Sequence, residues 1–153
     1  MNIMSTNYKS FKISLWDTAG QERYRSLTSN FYKGSHIVIF VYSIDQKNSF
    51  EKLKEYWVQS VVDKIGKDVI IGLIANKADL YMNEEVTKEE GTAYAKEIEA
   101  EYELTSAKES RKELISFINK LIEKLLLKEN LIQKEDKITL KEKDKVKAKK
   151  KCC

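Results

Sequence analysis

Proline is absent from the 153 residues, and cysteine occurs only as the last two, Cys152 and Cys153. A disulfide between adjacent cysteines would be strained and would staple no loop, so nothing calls for an oxidising compartment. Histidine occurs once, as His36. That excludes the usual zinc ligand sets, and His36, opening an apolar run, reads as structural. The longest unbroken apolar run, Ile37 to Tyr42, has six residues, far short of the ~20 a membrane-spanning helix needs. The opening MNIMSTNYKS has no charged segment followed by an apolar one, so no secretory signal is visible. An intracellular, reducing environment is the expectation. Lastly, no G-x-x-x-x-G-K-S/T stretch occurs, so the loop whose backbone N–H groups cradle phosphates is not among these residues.

What is there is an ordinary globular balance, 34% charged and 42% apolar. The length suits one domain, large enough to bury a core of its own. The net charge of +4 is uneven: from Lys128 to Cys153 ten Lys face five Asp or Glu, a net of +5, which leaves −1 for the other 127 residues. The basic character belongs to the tail, which argues against a nucleic-acid-binding face on the domain.

The pattern of apolar residues alternates between strand and helix. Phe11, Ile13 and Leu15 alternate with Lys12 and Ser14, a half-buried strand ending at Trp16. Residues 37–44 and 69–75 are short apolar runs rich in β-branched side chains, as in parallel strands covered on both faces. Between them Phe50, Leu53, Trp57, Val61 and Ile65 form a helical stripe, with Gly66 where a helix C-cap belongs. Trp57 reads as core. Thr87 and Glu90 form a capping box that opens a helix through about Ala100. Leu104 belongs to a short last strand, and Leu114, Ile118, Leu121 and Leu125 mark a final helix. The expected fold is therefore α/β, a mostly parallel sheet flanked by helices.

Three motifs each follow an expected strand, and in such sheets ligands sit at the carboxyl ends of strands. WDTAGQE occupies 16–22, NKAD 76–79 and TSAK 105–108. Asp17 can hold a magnesium ion through water. Gly20, lacking a side chain, can bring a backbone N–H close to a terminal phosphate. Gln21 is placed to orient an attacking water. Asn76 and Asp79 present an acceptor–donor edge and a carboxylate to a base. A carboxylate accepts two N–H bonds from guanine and finds no matching pair on adenine. The methylenes of Lys77 can lie along the base, with Ser106, Ala107 and Lys108 closing from the other side.

These motifs, in this order and spacing, resemble the Ras superfamily and within it the Rab GTPases, over about Asn2 to Leu127. KISLW at 12–16, RYRSLT at 23–28, FYKG at 31–34 and FVYSID at 40–45 are similar to Rab rather than to Ras or Rho. The resemblance implies a partial Ras-like G domain over 2–127 and a basic flexible tail over 128–153. It implies binding of GTP and GDP with Mg2+, GTP hydrolysis, and a switch role in vesicle trafficking. Effectors, an exchange factor, a GTPase-activating protein and the prenylation escort machinery are the implied partners. Trp16 and Phe31 read either as core aromatics or, by the resemblance, as part of an effector-facing cluster. Cys152 and Cys153 are implied carriers of geranylgeranyl groups. Eight Lys against two acidic residues between Lys137 and Lys151 would add attraction to an anionic leaflet, about 1 kcal/mol for each Lys near it. The expected location is the cytoplasmic face of intracellular membranes, with a soluble cytosolic pool.

The sequence departs from the family at its start. The first strand, the phosphate loop, the first helix and the switch threonine for magnesium have no counterpart, so the chain is expected to be an amino-terminally truncated copy. Losing three bonds to charged phosphate at ~1.5 kcal/mol each would weaken nucleotide binding roughly a thousandfold. The absent strand lies in mid-sheet in that family, and its loss would expose backbone groups and apolar faces. Two further readings therefore stand beside the switch: a non-catalytic, nucleotide-poor binding module or remnant, and a membrane-tethered polybasic segment on a vestigial domain.

Overall fold

The structure is a computed structural model, and it describes residues 12–18, 34–66 and 68–128. Its centre is a parallel sheet of three strands in the order β1 (Ile37–Ser43), β2 (Ile70–Asn76), β3 (Glu101–Leu104). Ile37 pairs with Ile70 at one end of β1 and Ser43 with Asn76 at the other, while Gly72 to Ala75 pair with Glu101 to Leu104. The expected α/β class is thus observed. β2, with a neighbour on each side, is buried from Ile70 to Ala75, which is why its sequence is almost unbroken in apolar residues. β1 is an edge among the described strands, and its Val41 is 53% exposed.

Alternation along β2 splits the core in two. Ile71, Leu73 and Ala75 join Phe40 and Tyr42 of β1 in the larger cluster. It is covered by α1 (Lys47–Lys52), α2 (Val58–Ile65) and α3 (Lys88–Glu97). Ile70 and Ile74 face the other way, against Phe117 and Leu121 of α4, residues 112–128. Gly72 makes that seat possible: a Cβ there would stand 2.9 Å from Leu121 Cδ1 and 3.0 Å from Phe117 Cε1. Lys120 and Lys124 then clasp Glu101 of β3 at 2.8 and 2.7 Å.

The expected stripe between β1 and β2 is a helix, with one departure. Residues Leu53–Trp57 form a π-turn between α1 and α2, in which the Val58 N–H donates to the Leu53 carbonyl. The extra residue in the turn rotates α2 about its axis, so Val58 and Val61 are buried and Trp57 only partly so. Gly66 closes α2 at φ 86°, ψ −178°, a conformation open essentially only to glycine.

The capping box at α3 has both its bonds. Thr87 Oγ1 accepts from the Glu90 N–H at 3.2 Å, and Glu90 Oε2 accepts from the Thr87 N–H at 2.9 Å. α3 ends at Glu97 rather than near Ala100 because Glu99 adopts φ 55°. The Ala100 N–H then donates to the Ala95 carbonyl and the Glu99 N–H to Lys96, the bond pair of a Schellman stop. A left-handed Glu costs about 1 kcal/mol relative to glycine. Glu99→Gly is therefore expected to raise the melting temperature by roughly 4 °C, measured by circular dichroism; an unchanged or lower midpoint would contradict this geometry.

The expected strand at 11–16 is corrected over its described part: residues 12–18 have no regular structure, and Leu15 and Trp16 are 79% and 69% exposed. Alternation makes a strand only where another strand offers a ladder, and the described sheet pairs none with it. Exposure also removes the core reading of Trp16. Phe31, Gly20, Gln21 and the tail with Cys152 and Cys153 lie outside the described residues. No described helix is long and apolar enough to cross a membrane.

Candidate functional site

Where β2 and β3 end, their chain continuations stay together. The Thr105 N–H donates to the Ala75 carbonyl at 2.8 Å and the Ala78 N–H to the Thr105 carbonyl at 3.0 Å. Thr105 and Ser106 are buried, at 6% and 7% exposure, although both are polar. Burial of such residues requires hydrogen-bond partners, and β2 with the turn after it supplies them for the Thr105 backbone and the Ser106 hydroxyl.

That turn begins with Lys77 at φ 63°, ψ 39°. A left-handed residue reverses the strand direction sharply, so the side chains of Asn76 and Asp79 both reach the 105–108 segment. Asn76 Oδ1 accepts from the Ala107 N–H at 3.2 Å. The Ser106 hydroxyl donates to Asp79 Oδ1 at 2.6 Å and accepts from the Glu109 N–H at 3.3 Å. With both roles of the hydroxyl assigned, its orientation is fixed. The Lys108 ammonium stands 3.8 Å from Asp79 Oδ2.

The Ser106 hydrogen bond, with help from backbone N–H and the Lys108 and Lys77 charges, holds the Asp79 carboxyl below its ordinary value. It is therefore ionised at neutral pH, and acceptor-only. Only Oδ1 takes a short bond; Oδ2 keeps lone pairs for another donor. Asp45, just past β1, completes the cluster, with Lys77 Nζ at 3.2 and 3.3 Å from its two oxygens. The Ser43 hydroxyl donates to Asp45 Oδ1 and is the main cause that lowers its carboxyl, ahead of Lys77.

The structure thus brings together Asn76, Lys77, Asp79, Ser106, Ala107 and Lys108 at the carboxyl edge of the sheet. Asp17 is exposed, and no hydrogen bond or ion pair joins it to this cluster. No group of three or more His, Cys, Asp or Glu able to hold a metal occurs among the described residues. Magnesium in nucleotide sites needs only one or two carboxylates besides phosphate oxygens, so a single Asp17 fits that donor chemistry. Asp45 is the cluster member that motif spacing misses. Its signal was an acidic residue at the carboxyl end of the strand beside the Lys77 strand.

A family model described as Ras family matches residues 1–127. Among curated proteins the chain is similar to the Ras-related protein RabC of Dictyostelium discoideum, 42% identical over 99 residues, 65% of this chain and 50% of that protein. The Ras-related protein RabQ of the same organism is 41% identical over 64% of this chain and 48% of its own length. The GTP-binding protein YPTM1 of Zea mays is 42% identical over 67% and 49%. The chain spans about half the length of the curated relatives it matches.

Proposed function

This chain belongs to the Ras family, on its Rab branch, and on that premise we propose that it acts as a GTP-binding and GTP-hydrolysing switch in vesicle traffic. The observation that carries the reading is the closure of the 76–79 turn on residues 105–108. It leaves one ionised Asp79 oxygen and the edge of Asn76 for a base. Asp79 would accept two N–H bonds from guanine, Lys77 would flank the ring with its methylenes, and Ser106, Ala107 and Lys108 would close the far side. This pocket is held by its own bonds, so little ordering remains to oppose binding.

On the phosphate side the roles rest on family resemblance: Asp17 for Mg2+, the Gly20 N–H for the terminal phosphate, Gln21 for the attacking water. Bound GTP supplies the phosphoanhydride whose hydrolysis ends the signal. The partners of such a switch are effectors, an exchange factor, a GTPase-activating protein and the prenylation escort machinery. Lipids on Cys152 and Cys153, with the Lys-rich tail, would hold it on the cytoplasmic face of a membrane, since two anchoring signals bind stably where one does not.

The test is a change of base. In Asp79→Asn the side-chain carbonyl still accepts one N–H from guanine, while its NH2 opposes the other and suits the C2 carbonyl of xanthine. Loss of one charged hydrogen bond predicts roughly thirtyfold weaker GDP binding, with xanthosine diphosphate gaining, in titrations followed by NMR. A variant that takes the two nucleotides alike, or neither, removes the guanine reading.

A further inference from the structure

Among the described residues other than glycine, only Lys77 and Glu99 have positive φ. Glu99 closes a helix. Lys77 stands where β2 must turn so that Asn76 and Asp79 meet residues 105–108, a conformation unfavourable for a long side chain. Its ammonium does not point at a solvent-facing carboxylate on its own turn. It reaches back across the sheet to Asp45, which is 32 positions earlier in the chain.

Asp45 is well anchored. The Ser43 hydroxyl holds Oδ1, and the Ser43 N–H donates to Ser49 Oγ at 3.0 Å. The adjacent Ile44 N–H donates to the Asn76 carbonyl at 3.1 Å. A pair of two mobile surface chains contributes little, because both must be ordered. Here the carboxylate is 19% exposed and already fixed, so only Lys77 has freedom to lose. Tethering Lys77 from β1 favours the left-handed turn over the extended alternatives its backbone otherwise prefers.

We propose that Asp45 is a positioning residue of the base-side loop: by holding the Lys77 ammonium it fixes the left-handed turn that aims Asn76 and Asp79 at residues 105–108. The carboxyl ends of all three strands are then one linked unit, with β1 acting on the pocket through a charge.

The experiment uses the full chain and amide hydrogen exchange by NMR at Ala78 and Ala107, whose N–H groups bond Thr105 and Asn76. Asp45→Asn keeps the shape and removes the charge. It is expected to speed exchange at both amides about fivefold, leaving Leu73 in mid-sheet unchanged, and Asp45→Glu should recover most of the protection. In Lys77→Gly, where glycine takes the turn without a tether, adding Asp45→Asn should change nothing more. Unmoved exchange in Asp45→Asn, or an equal effect in the Lys77→Gly background, overturns the proposal. A second arm rests on the guanine-site reading: GDP should bind Asp45→Asn about fivefold more weakly. If the unsubstituted chain takes no GDP while the exchange pattern holds, that reading fails and the positioning role stands.

Discussion

Replacing Phe117 by Ala is expected to remove about 3–5 kcal/mol of folding stability, a large share of what holds a domain of this size together. Phe117 is 1% exposed and, with Leu121, supplies the buried helix side of the smaller core cluster, flanked by the partly buried Leu125. On the sheet side only Ile70 and Ile74 are buried opposite it, with Ile37 and Ile39 partly so. Few neighbours are therefore able to move into the space of a lost ring. Gly72 cannot fill it, having no side chain. The two Lys–Glu101 pairs are more than a third exposed on the lysine side and contribute little in compensation. The denaturant midpoint should fall accordingly, and exchange in 112–128 should rise before exchange in the Phe40–Tyr42 region. A loss under about 1 kcal/mol would mean that α4 does not rest on this face.

Gly91→Ala is the second large effect, and its sign is opposite to the usual one. Ala in a helix interior normally gains about 1 kcal/mol over glycine. At Gly91 a Cβ would lie 2.3 Å from the Tyr42 hydroxyl oxygen, 2.8 Å from Tyr102 Cε2 and 3.1 Å from the Tyr102 hydroxyl. Tyr42 is 1% exposed and packed on Phe50 at 4.7 Å between ring centroids, so it has nowhere to retreat. The two phenols are buried side by side and interact through their hydroxyls, and burial is the main cause that pushes both above their ordinary value. Their close approach to α3 depends on the missing methyl. A net loss of about 3 kcal/mol is expected by thermal or denaturant unfolding. Tyr42→Phe removes the nearest atom, so in the Gly91→Ala background it should recover part of that loss, a coupling that independent sites would not show. Additive effects would place the clash elsewhere.

Much of this arrangement was legible in the residues. The two apolar β-branched runs are β1 and β2, and β2, covered on both faces, has little choice of composition. The capping box at Thr87 and Glu90 is a purely local device, and local chemistry is what a sequence states most directly. NKAD and TSAK converge because both follow adjacent parallel strands, which topology alone dictates. Three features escaped for physical reasons. The π-turn inserts a residue that no regular helical count anticipates, so Val58 replaced Trp57 in the deepest layer. The alternation at 12–16 is a request for a partner strand, and a request is not a ladder. Asp45 closes the family-like stretch at 40–45, but that stretch says nothing of Lys77; the pairing follows from the parallel register that sets its strand beside the one Lys77 follows.

That register also governs how the chain gets to its fold. Ile37 meets Ile70, and Gly72 meets Glu101, partners roughly 30 residues apart, so neither described pair of strands can zip from a tight turn. Each described ladder must wait for a loop closure of that size, and such parallel pairing is intrinsically slow. On a ribosome, β1 would emerge as an apolar ribbon and wait for its partner β2 to emerge after it, an interval of seconds at ordinary synthesis rates. The helices between them, whose contacts are local, are the segments able to shelter it meanwhile. With no proline in the chain, no peptide-bond isomerisation of the X-Pro kind slows that sequence further.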